Sequence, residues 1–148
     1  MKPGYILVGL TVLLALVSLV WTPYDPTLIS PDRLADPSLE HLMGTDRFGR
    51  DTFSRILAGA QITVLVGVVA VAIAALIGVP LGIIAGMRGG SVIMAATDLL
   101  LAFPALLLAI VAGAVWGSST LTATIAIGIA GIPSFIRVTR SGTLQIMT

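Results

Sequence analysis

Long uncharged runs alternate with short charged stretches along this chain. The first apolar run extends from Tyr5 to Trp21, and a second lies between Arg55 and Arg88. A third lies between Asp98 and Arg137 and is too long for a single membrane helix. A bilayer span needs about 20 apolar residues, and lipid offers backbone groups no other hydrogen-bond partner. Each run therefore predicts helices that cross a membrane.

Four spans are predicted: Tyr5 to Trp21, Ile62 to Met87, Ala95 to Val115 and Leu121 to Ile136. The last two are separated by a polar, turn-prone stretch from Trp116 to Thr120. The first run could instead be a signal peptide, but Val20 to Pro23 is a poor cleavage site, which favours an uncleaved anchor. The predicted fold class is an all-α, multi-pass transmembrane protein.

The amino-acid composition agrees with a lipid environment and excludes several classes of function. Of the 148 residues, 57% are hydrophobic and 10% charged, whereas soluble domains are about a quarter charged. The net charge of +1 gives no basic face for nucleic acid, and cysteine is absent. With His41 as the single histidine, the sequence predicts no metal site and no cofactor. An intramembrane aspartyl protease would need two aspartates, whereas Asp98 is alone, and no phosphate-binding Gly-Lys-Ser/Thr loop occurs, so we predict that the chain is not an enzyme.

A polar segment from Thr22 to Gln61 separates the first two spans. Its prolines make the first half extended or turning. Asp51 is the predicted N-cap of a helix beginning at Thr52, and we interpret that helix as a short amphipathic one at the membrane surface. We expect residues 1–61 to form an N-terminal anchor plus a polar segment, which is extracytoplasmic if the N-terminus is cytoplasmic, and residues 62–148 to begin a transmembrane domain.

The charges leave the orientation in the membrane nearly undecided. Each side of a four-span arrangement carries four basic residues, so the positive-inside rule does not choose between the two orientations. One side carries only Asp98 as an acid, whereas the polar segment carries six acids. This weak asymmetry favours a cytoplasmic N-terminus.

Small residues and prolines within the spans predict close packing and bends. Gly78, Gly82 and Gly86 lie four residues apart and form one stripe. Intramolecular helix packing is the ordinary interpretation, and a sliding or gating interface is the alternative. Asp98 is predicted to lie at the membrane interface near a helix start. Helix kinks, which shape a pathway or merely serve packing, are predicted at three prolines: Pro80, Pro104 and Pro133.

The most specific stretch runs from Met43 to Arg55. Its glycines permit turns, and its alternating acids and bases can pair locally, so it predicts a tight, charged surface elbow. The stretch resembles the G-T-D-x-x-G-R-D-x-x-S-R signature of the dipeptide, oligopeptide and nickel ABC importer permeases, in the branch with a short N-terminal extension. Eight residues match that signature: Gly44, Thr45, Asp46, Gly49, Arg50, Asp51, Ser54 and Arg55.

Five further motifs resemble those of the same family, in the same order and over nearly the whole chain. They are Pro23 to Pro26 (P-Y-D-P), Pro37 to His41 (P-S-x-E-H), Leu81 to Gly86 with Gly89 and Gly90 (L-G-x-x-A-G and G-G), Asp98 to Pro104 (D-x-L-L-A-x-P), and Ile132-Pro133 with Arg137 and Arg140 (W-P…R…R). In the last motif Ile132 stands where the family usually has tryptophan.

The resemblance implies a six-span permease subunit in the bacterial or archaeal inner membrane, with a cytoplasmic N-terminus. It implies three kinds of partner besides the lipid bilayer itself. These are a second permease subunit, two cytoplasmic ATPase subunits and an extracytoplasmic solute-binding protein. Relatives carry peptides, nickel, glutathione or similar solutes, and we expect peptides because they are the commonest.

The chain departs from the family pattern at its C-terminal end. The E-A-A-x-x-x-G coupling loop expected soon after the fourth span does not occur before Thr148, and spans five and six do not occur either. We therefore expect an N-terminal fragment, which forms half of a translocation pathway only in the complete subunit and cannot couple to an ATPase alone. The alternative is a truncated, non-transporting membrane protein or a scaffold that associates with related permeases.

Overall fold

The computed structural model describes residues 2–87 and 90–147. Over these residues it contains no β-strand. Its five helices are α1 (Lys2–Val20), α2 (Thr52–Met87), α3 (Ser91–Ala102), α4 (Ala105–Trp116) and α5 (Thr120–Met147). The chain divides into two compact units, residues 1–65 and 66–148, so the boundary falls within α2. Arg88 and Gly89, part of the predicted glycine turn, lie outside the described residues.

Three of the helices, α1, α2 and α5, are long and apolar enough to cross a membrane. The bent pair of α3 and α4 supplies a fourth crossing if the two helices together form one span. The prediction of an all-α, multi-pass membrane protein is confirmed, with three or four candidate spans.

The first unit joins α1, the polar segment and the first turns of α2. Along α1, Ala15 is buried while most of the large apolar side chains are exposed, as a helix surrounded by lipid tails allows. Near the end of α1 the Ser18 hydroxyl donates to Oε1 of Gln61 at 3.2 Å. Further along, Leu57 and Ser54 of α2 are fully buried. Just after α1, the amide of Tyr24 donates to the Ser54 hydroxyl at 3.1 Å, so α1 and the start of α2 lie side by side in opposite directions.

Helix α2 differs from the prediction because it is one helix of 36 residues. We expected a separate surface helix from Thr52 and a span beginning only at Ile62. The chain instead stays helical through this region, because no proline occurs before Pro80 and Gly59 alone is too weak to break a helix. At about 1.5 Å per residue α2 is about 54 Å long. This exceeds the thickness of the roughly 30 Å hydrocarbon core, so α2 is longer than a span across the core requires.

The predicted third span, Ala95 to Val115, is not a single helix. It consists of α3 and α4, which meet at an angle of 80°. Phe103 between them is extended, with φ −89° and ψ 125°, as expected for a residue that precedes a proline. Pro104 lacks an N–H, and its carbonyl accepts from the amide of Leu107 at 2.9 Å to start α4. The effect of Pro104 is therefore a break between two helices, larger than the predicted kink.

Helix α5 is longer than the predicted span from Leu121 to Ile136. It begins at Thr120, after the predicted turn, and the Ser119 hydroxyl accepts from the amide of Thr122 at 3.1 Å as an N-cap. It continues to Met147 because polarity ends an apolar run without ending helical hydrogen bonding. In the second unit α5 packs against both α3 and α4. Pro133 lies inside α5 and is buried.

Candidate functional site

The candidate site is the elbow, defined as residues 44–55, together with the part of the polar segment that packs on it. The elbow contains the turn before α2 and the first residues of that helix. It is held by backbone hydrogen bonds, including an isolated antiparallel bridge between Thr45 and Asp51. The remaining contacts come from side chains that cap and cross-link the turn.

Asp51 is the N-cap of α2, and it also anchors the polar segment. Its Oδ2 accepts from the amide of Ser54 at 2.7 Å, which satisfies one of the free N–H groups at the helix start. Its Oδ1 lies 2.9 Å from Nδ1 of His41, and the Asp51 side chain is only 2% exposed. One carboxylate therefore starts a helix and holds a residue ten positions upstream.

Burial alone would raise the pKa of Asp51, because a buried charge loses its hydration. Hydrogen bonds from the backbone and hydroxyl of Ser54 and from the His41 ring outweigh burial and lower the pKa below its usual value of 3.8. The carboxylate therefore stays ionised at neutral pH, and the His41 ring must donate the hydrogen bond between them.

Ser54 and Tyr24 extend this network back to the end of α1. The Ser54 hydroxyl, which has no exposed surface, accepts from the amide of Tyr24 at 3.1 Å. The Tyr24 ring lies 4.9 Å from the His41 ring, centre to centre. Contacts among Tyr24, His41, Asp51 and Ser54 thus tie the start and the middle of the polar segment to the beginning of α2.

Asp46 is the second organising carboxylate of the elbow. It accepts from Nε of Arg50 at 2.9 Å and from the guanidinium of Arg55 at 2.5 Å. It also accepts from the amides of Phe48 at 2.8 Å and Arg50 at 3.0 Å. Desolvation would raise its pKa, but these hydrogen bonds and the charge of Arg50 lower it to about 2. Asp46 therefore pairs with arginines, whereas Asp51 pairs with the histidine.

The two elbow glycines occupy positions where a side chain would be strained and would also collide. Gly44 has φ +68° and Gly49 has φ +80°, in the left-handed region that glycine tolerates. A Cβ at Gly44 would clash with the carbonyl oxygen of Ala35, and one at Gly49 with that of Ser30. The elbow thus packs directly against the backbone of the polar segment.

Thr45 also joins the elbow to the polar segment, through the hydrogen bonds of its side-chain hydroxyl. Its hydroxyl accepts from the amide of Ala35 at 2.9 Å and donates to the carbonyl of Asp32. The residue is only 7% exposed. All eight predicted elbow residues therefore lie together, and all but the glycines act through their side chains or through the bridge.

Sequence reasoning missed the partners of these residues. His41 and Tyr24 were recognised only as members of motifs that resemble family motifs, yet both contact the Asp51 and Ser54 group. The available signal was the presence of a single histidine upstream of an elbow with two aspartates. Among the residues that the structure describes, no group of three or more His, Cys, Asp or Glu could hold a metal ion.

The glycine stripe lies in the second unit, against α5. A Cβ built at Gly78 would lie 2.6 Å from Cβ of Phe135, and one at Gly82 would lie 2.6 Å from Cβ of Thr139. At Gly86 the corresponding distance to Thr143 is 2.7 Å. Atoms do not approach this closely, so α2 and α5 are in backbone contact along the stripe.

Asp98 does not lie near a helix start, contrary to the prediction. It is in the second half of α3, where its carboxylate lies 2.7 Å from the guanidinium of Arg137 on α5. Its position is therefore explained by an ion pair between helices, and the helix dipole has no part in it. Pro80 lies inside α2, so of the three predicted kink sites only Pro104 separates two helices.

The long apolar helices and their exposed apolar side chains show that the chain is part of an integral, multi-pass membrane protein. No family model matches it. It is, however, 39% identical over 143 residues to the probable D,D-dipeptide transport system permease protein of Escherichia coli K12, covering 91% of this chain and 48% of the relative. It is 41% identical over 145 residues to the glutathione transport system permease protein of Pectobacterium atrosepticum, covering 92% and 48%.

A third relative is the dipeptide transport system permease protein of Alkalihalophilus pseudofirmus, which is 40% identical over 147 residues, covering 97% of this chain and 48% of the relative. Over more than nine-tenths of its length the chain is therefore similar to permease proteins of dipeptide and glutathione transport systems. It spans about half the length of the curated relatives that it matches.

Proposed function

We propose that this chain is part of a permease subunit of an ABC importer and forms half of the translocation pathway for peptides, or for nickel or a similar small solute. The single observation that carries the proposal is the match of more than nine-tenths of the chain to transport permeases at about 40% identity. Two relatives are named for dipeptide or D,D-dipeptide transport and one for glutathione transport. Short peptides are thus the favoured substrate class.

Energy for transport would come from two separate ATPase subunits on the cytoplasmic side. The other partners would be a second permease subunit and an extracytoplasmic solute-binding protein. In this arrangement residues 1–61 supply the anchor and the outer segment, and residues 62–148 begin the transmembrane domain. The subunit would lie in the cell inner membrane with a cytoplasmic N-terminus, which places the elbow outside.

The contacts within the second unit suggest how such a chain would contribute. No bond chemistry is required, since a permease works by moving helices between alternative packings. Helices α2 and α5 are in contact along the glycine stripe, which favours a tightly packed helix pair. The break at Phe103 and Pro104 leaves α3 and α4 as separate rods, each packed on α5, which favours their movement as distinct elements.

Reconstitution tests this proposal. The complete permease, its ATPases and its binding protein are placed in proteoliposomes with the binding protein outside. A labelled dipeptide should accumulate only when ATP is supplied on the ATPase side, and a phosphate-loop lysine variant of the ATPase should abolish the accumulation. Uptake of labelled glutathione and of nickel in the same vesicles, and competition among the three solutes, would then rank the substrates. Failure of all three solutes to accumulate or compete, in vesicles with active ATPase, would refute the proposal.

A further inference from the structure

The one acidic side chain of residues 66–148 lies in an ion pair between two helices. Oδ1 of Asp98, on α3, lies 2.7 Å from Nη2 of Arg137, on α5. Both side chains are more than half exposed, at 61% for Asp98 and 53% for Arg137. The pair therefore joins the helix before the break at Pro104 to a helix that follows much later in the chain.

Helix α3 is otherwise lightly packed. Its one buried residue is Thr97, a small side chain whose hydroxyl donates to the carbonyl of Ile93 within the same helix. By comparison, α5 has six buried residues. The ion pair thus adds a directed polar contact between α3 and α5 where apolar packing is slight.

The two ends of α3 are held differently. Before its first residue, the amide of Gly90 donates to the carbonyl of Ala85 at 3.1 Å, and a Cβ at Gly90 would collide with the Ala85 backbone. Ala85 belongs to α2 and is only 1% exposed, so this end is fixed. At the other end all residues from 101 to 107 are exposed, and Phe103 is extended. Hinges are a few residues at the ends of such elements, so Gly90 can serve as a pivot for α3.

The ion pair lies well away from this pivot. Asp98 is eight residues after Gly90, which is about 12 Å along α3. A contact at this distance resists a swing of the helix away from α5. Because exposed ion pairs contribute little net stability, the contact can open and form again at small cost. These properties suit a reversible contact better than a permanent one.

We propose that the Asp98–Arg137 ion pair is a latch, which holds α3 against α5 in one state of the transporter and opens when α3 swings about Gly90 in another. This inference rests on the proposed function, in which the permease alternates between two packings of its helices. The latch favours the closed packing by the free energy of the ion pair, so its removal must shift the population toward the open one. A purely structural ion pair would stay closed in every state.

The test measures the distance between α3 and α5 by double electron–electron resonance, in the complete transporter in nanodiscs. This chain has no cysteine, so Leu101→Cys and Ile146→Cys place spin labels at two exposed positions, 42% and 87% exposed. The parent protein should show a short and a long distance, in proportions that differ between the nucleotide-free and ATP-bound states. Asp98→Asn and Arg137→Gln should each raise the ratio of long to short distances by the same factor, about two- to fivefold.

Two controls separate a latch from a change in overall charge. The exchange of Asp98→Arg with Arg137→Asp should restore the parent ratio, because it forms the pair again with reversed polarity. Arg140→Gln removes an arginine that lies on the same helix and makes no ion pair within the described part of the chain, and it should leave the ratio unchanged. A shift in Arg140→Gln as large as in Arg137→Gln would overturn the latch and assign the effect to the charge of α5.

The remaining outcomes separate the latch from the importer. Labelled dipeptide uptake is measured with the same protein in proteoliposomes. A single distance in every nucleotide state, or equal ratios in the parent and its variants, would overturn the latch and leave the proposed function intact if uptake continues. Absence of ATP-driven uptake in the parent would overturn the proposed function and this inference together.

Discussion

The elbow and the α2–α5 contact are stabilised by opposite kinds of interaction. In the elbow, Asp46 and Asp51 are ionised carboxylates that organise amides, arginines and a histidine at hydrogen-bond distance. Along the glycine stripe, backbones approach because side chains are absent. Directed polar bonds are sensitive to charge and pH, whereas a close backbone contact is sensitive to volume. Each region should therefore fail under a change that the other tolerates.

The largest expected effect is a volume change at the stripe. Gly82→Leu should destabilise the helix pair by about 3 kcal/mol or more and abolish transport, because a Cβ there already lies 2.6 Å from Thr139 and 2.8 Å from the Ile136 carbonyl. Thermal melting of the complete permease in detergent measures the loss. Gly67→Leu on the same helix is the control, since a Cβ at Gly67 has no atom within 4 Å among the described residues. Equal melting of both variants would contradict close packing along the stripe.

Removal of the helix cap in the elbow should have the next largest effect on stability. Asp51→Ala should cost about 1–2 kcal/mol, because the Ser54 amide loses its acceptor and His41 loses its partner. Asp51→Asn should cost less, since its side-chain oxygen can still cap the helix. Proteolysis of residues 22–51 in the complete permease measures this local opening. A loss as large in Asp51→Asn as in Asp51→Ala would mean that the charge matters more than the cap.

Acid should open the elbow while the glycine contact stays closed. Asp46 and Asp51 both have pKa values lowered from 3.8, Asp46 to about 2, so the unfolded segment binds more protons than the folded one. Their stabilisation is thus fully present above about pH 4 and is lost as pH falls through their folded pKa values. Trp21 fluorescence in a Trp116→Phe background reports the opening, because Trp21 adjoins the polar segment. If the Trp21 fluorescence of an Asp46→Asn variant changes with pH as it does in the parent protein, Asp46 is excluded as a cause of the acid-induced opening.

The smallest expected effect is charge reversal at Arg50. Glutamate there would face Asp46, yet Arg55 still neutralises that carboxylate, so the loss of stability should be smaller than for Asp51→Ala. Binding-protein-stimulated ATPase should still decrease, because Arg50 also lies against the Phe48 ring. Unchanged stimulation would assign Arg50 a purely local structural role.

Contacts close in sequence were the predictable part of the site. Asp51 was predicted as an N-cap because the acceptor and the amide of Ser54 lie three residues apart. Gly44 and Gly49 were predicted as turn residues, and both have positive φ. The link between Asp51 and His41 was not predicted, because ten intervening residues can close that loop in many ways.

What the sequence determined by itself was the all-α, multi-pass membrane class and the local chemistry of the elbow, since hydropathy in lipid and local capping depend on neighbouring residues only. Tertiary structure decided three things: that α2 runs unbroken through the predicted interfacial helix, that Pro104 turns the chain by 80°, and that the glycine stripe meets Phe135, Thr139 and Thr143. The contact along the stripe depends on how distant segments fill space against one another, which no local pattern specifies. For α2 and Pro104 the local signals, an absence of proline before Pro80 and a proline at position 104, allow more than one outcome.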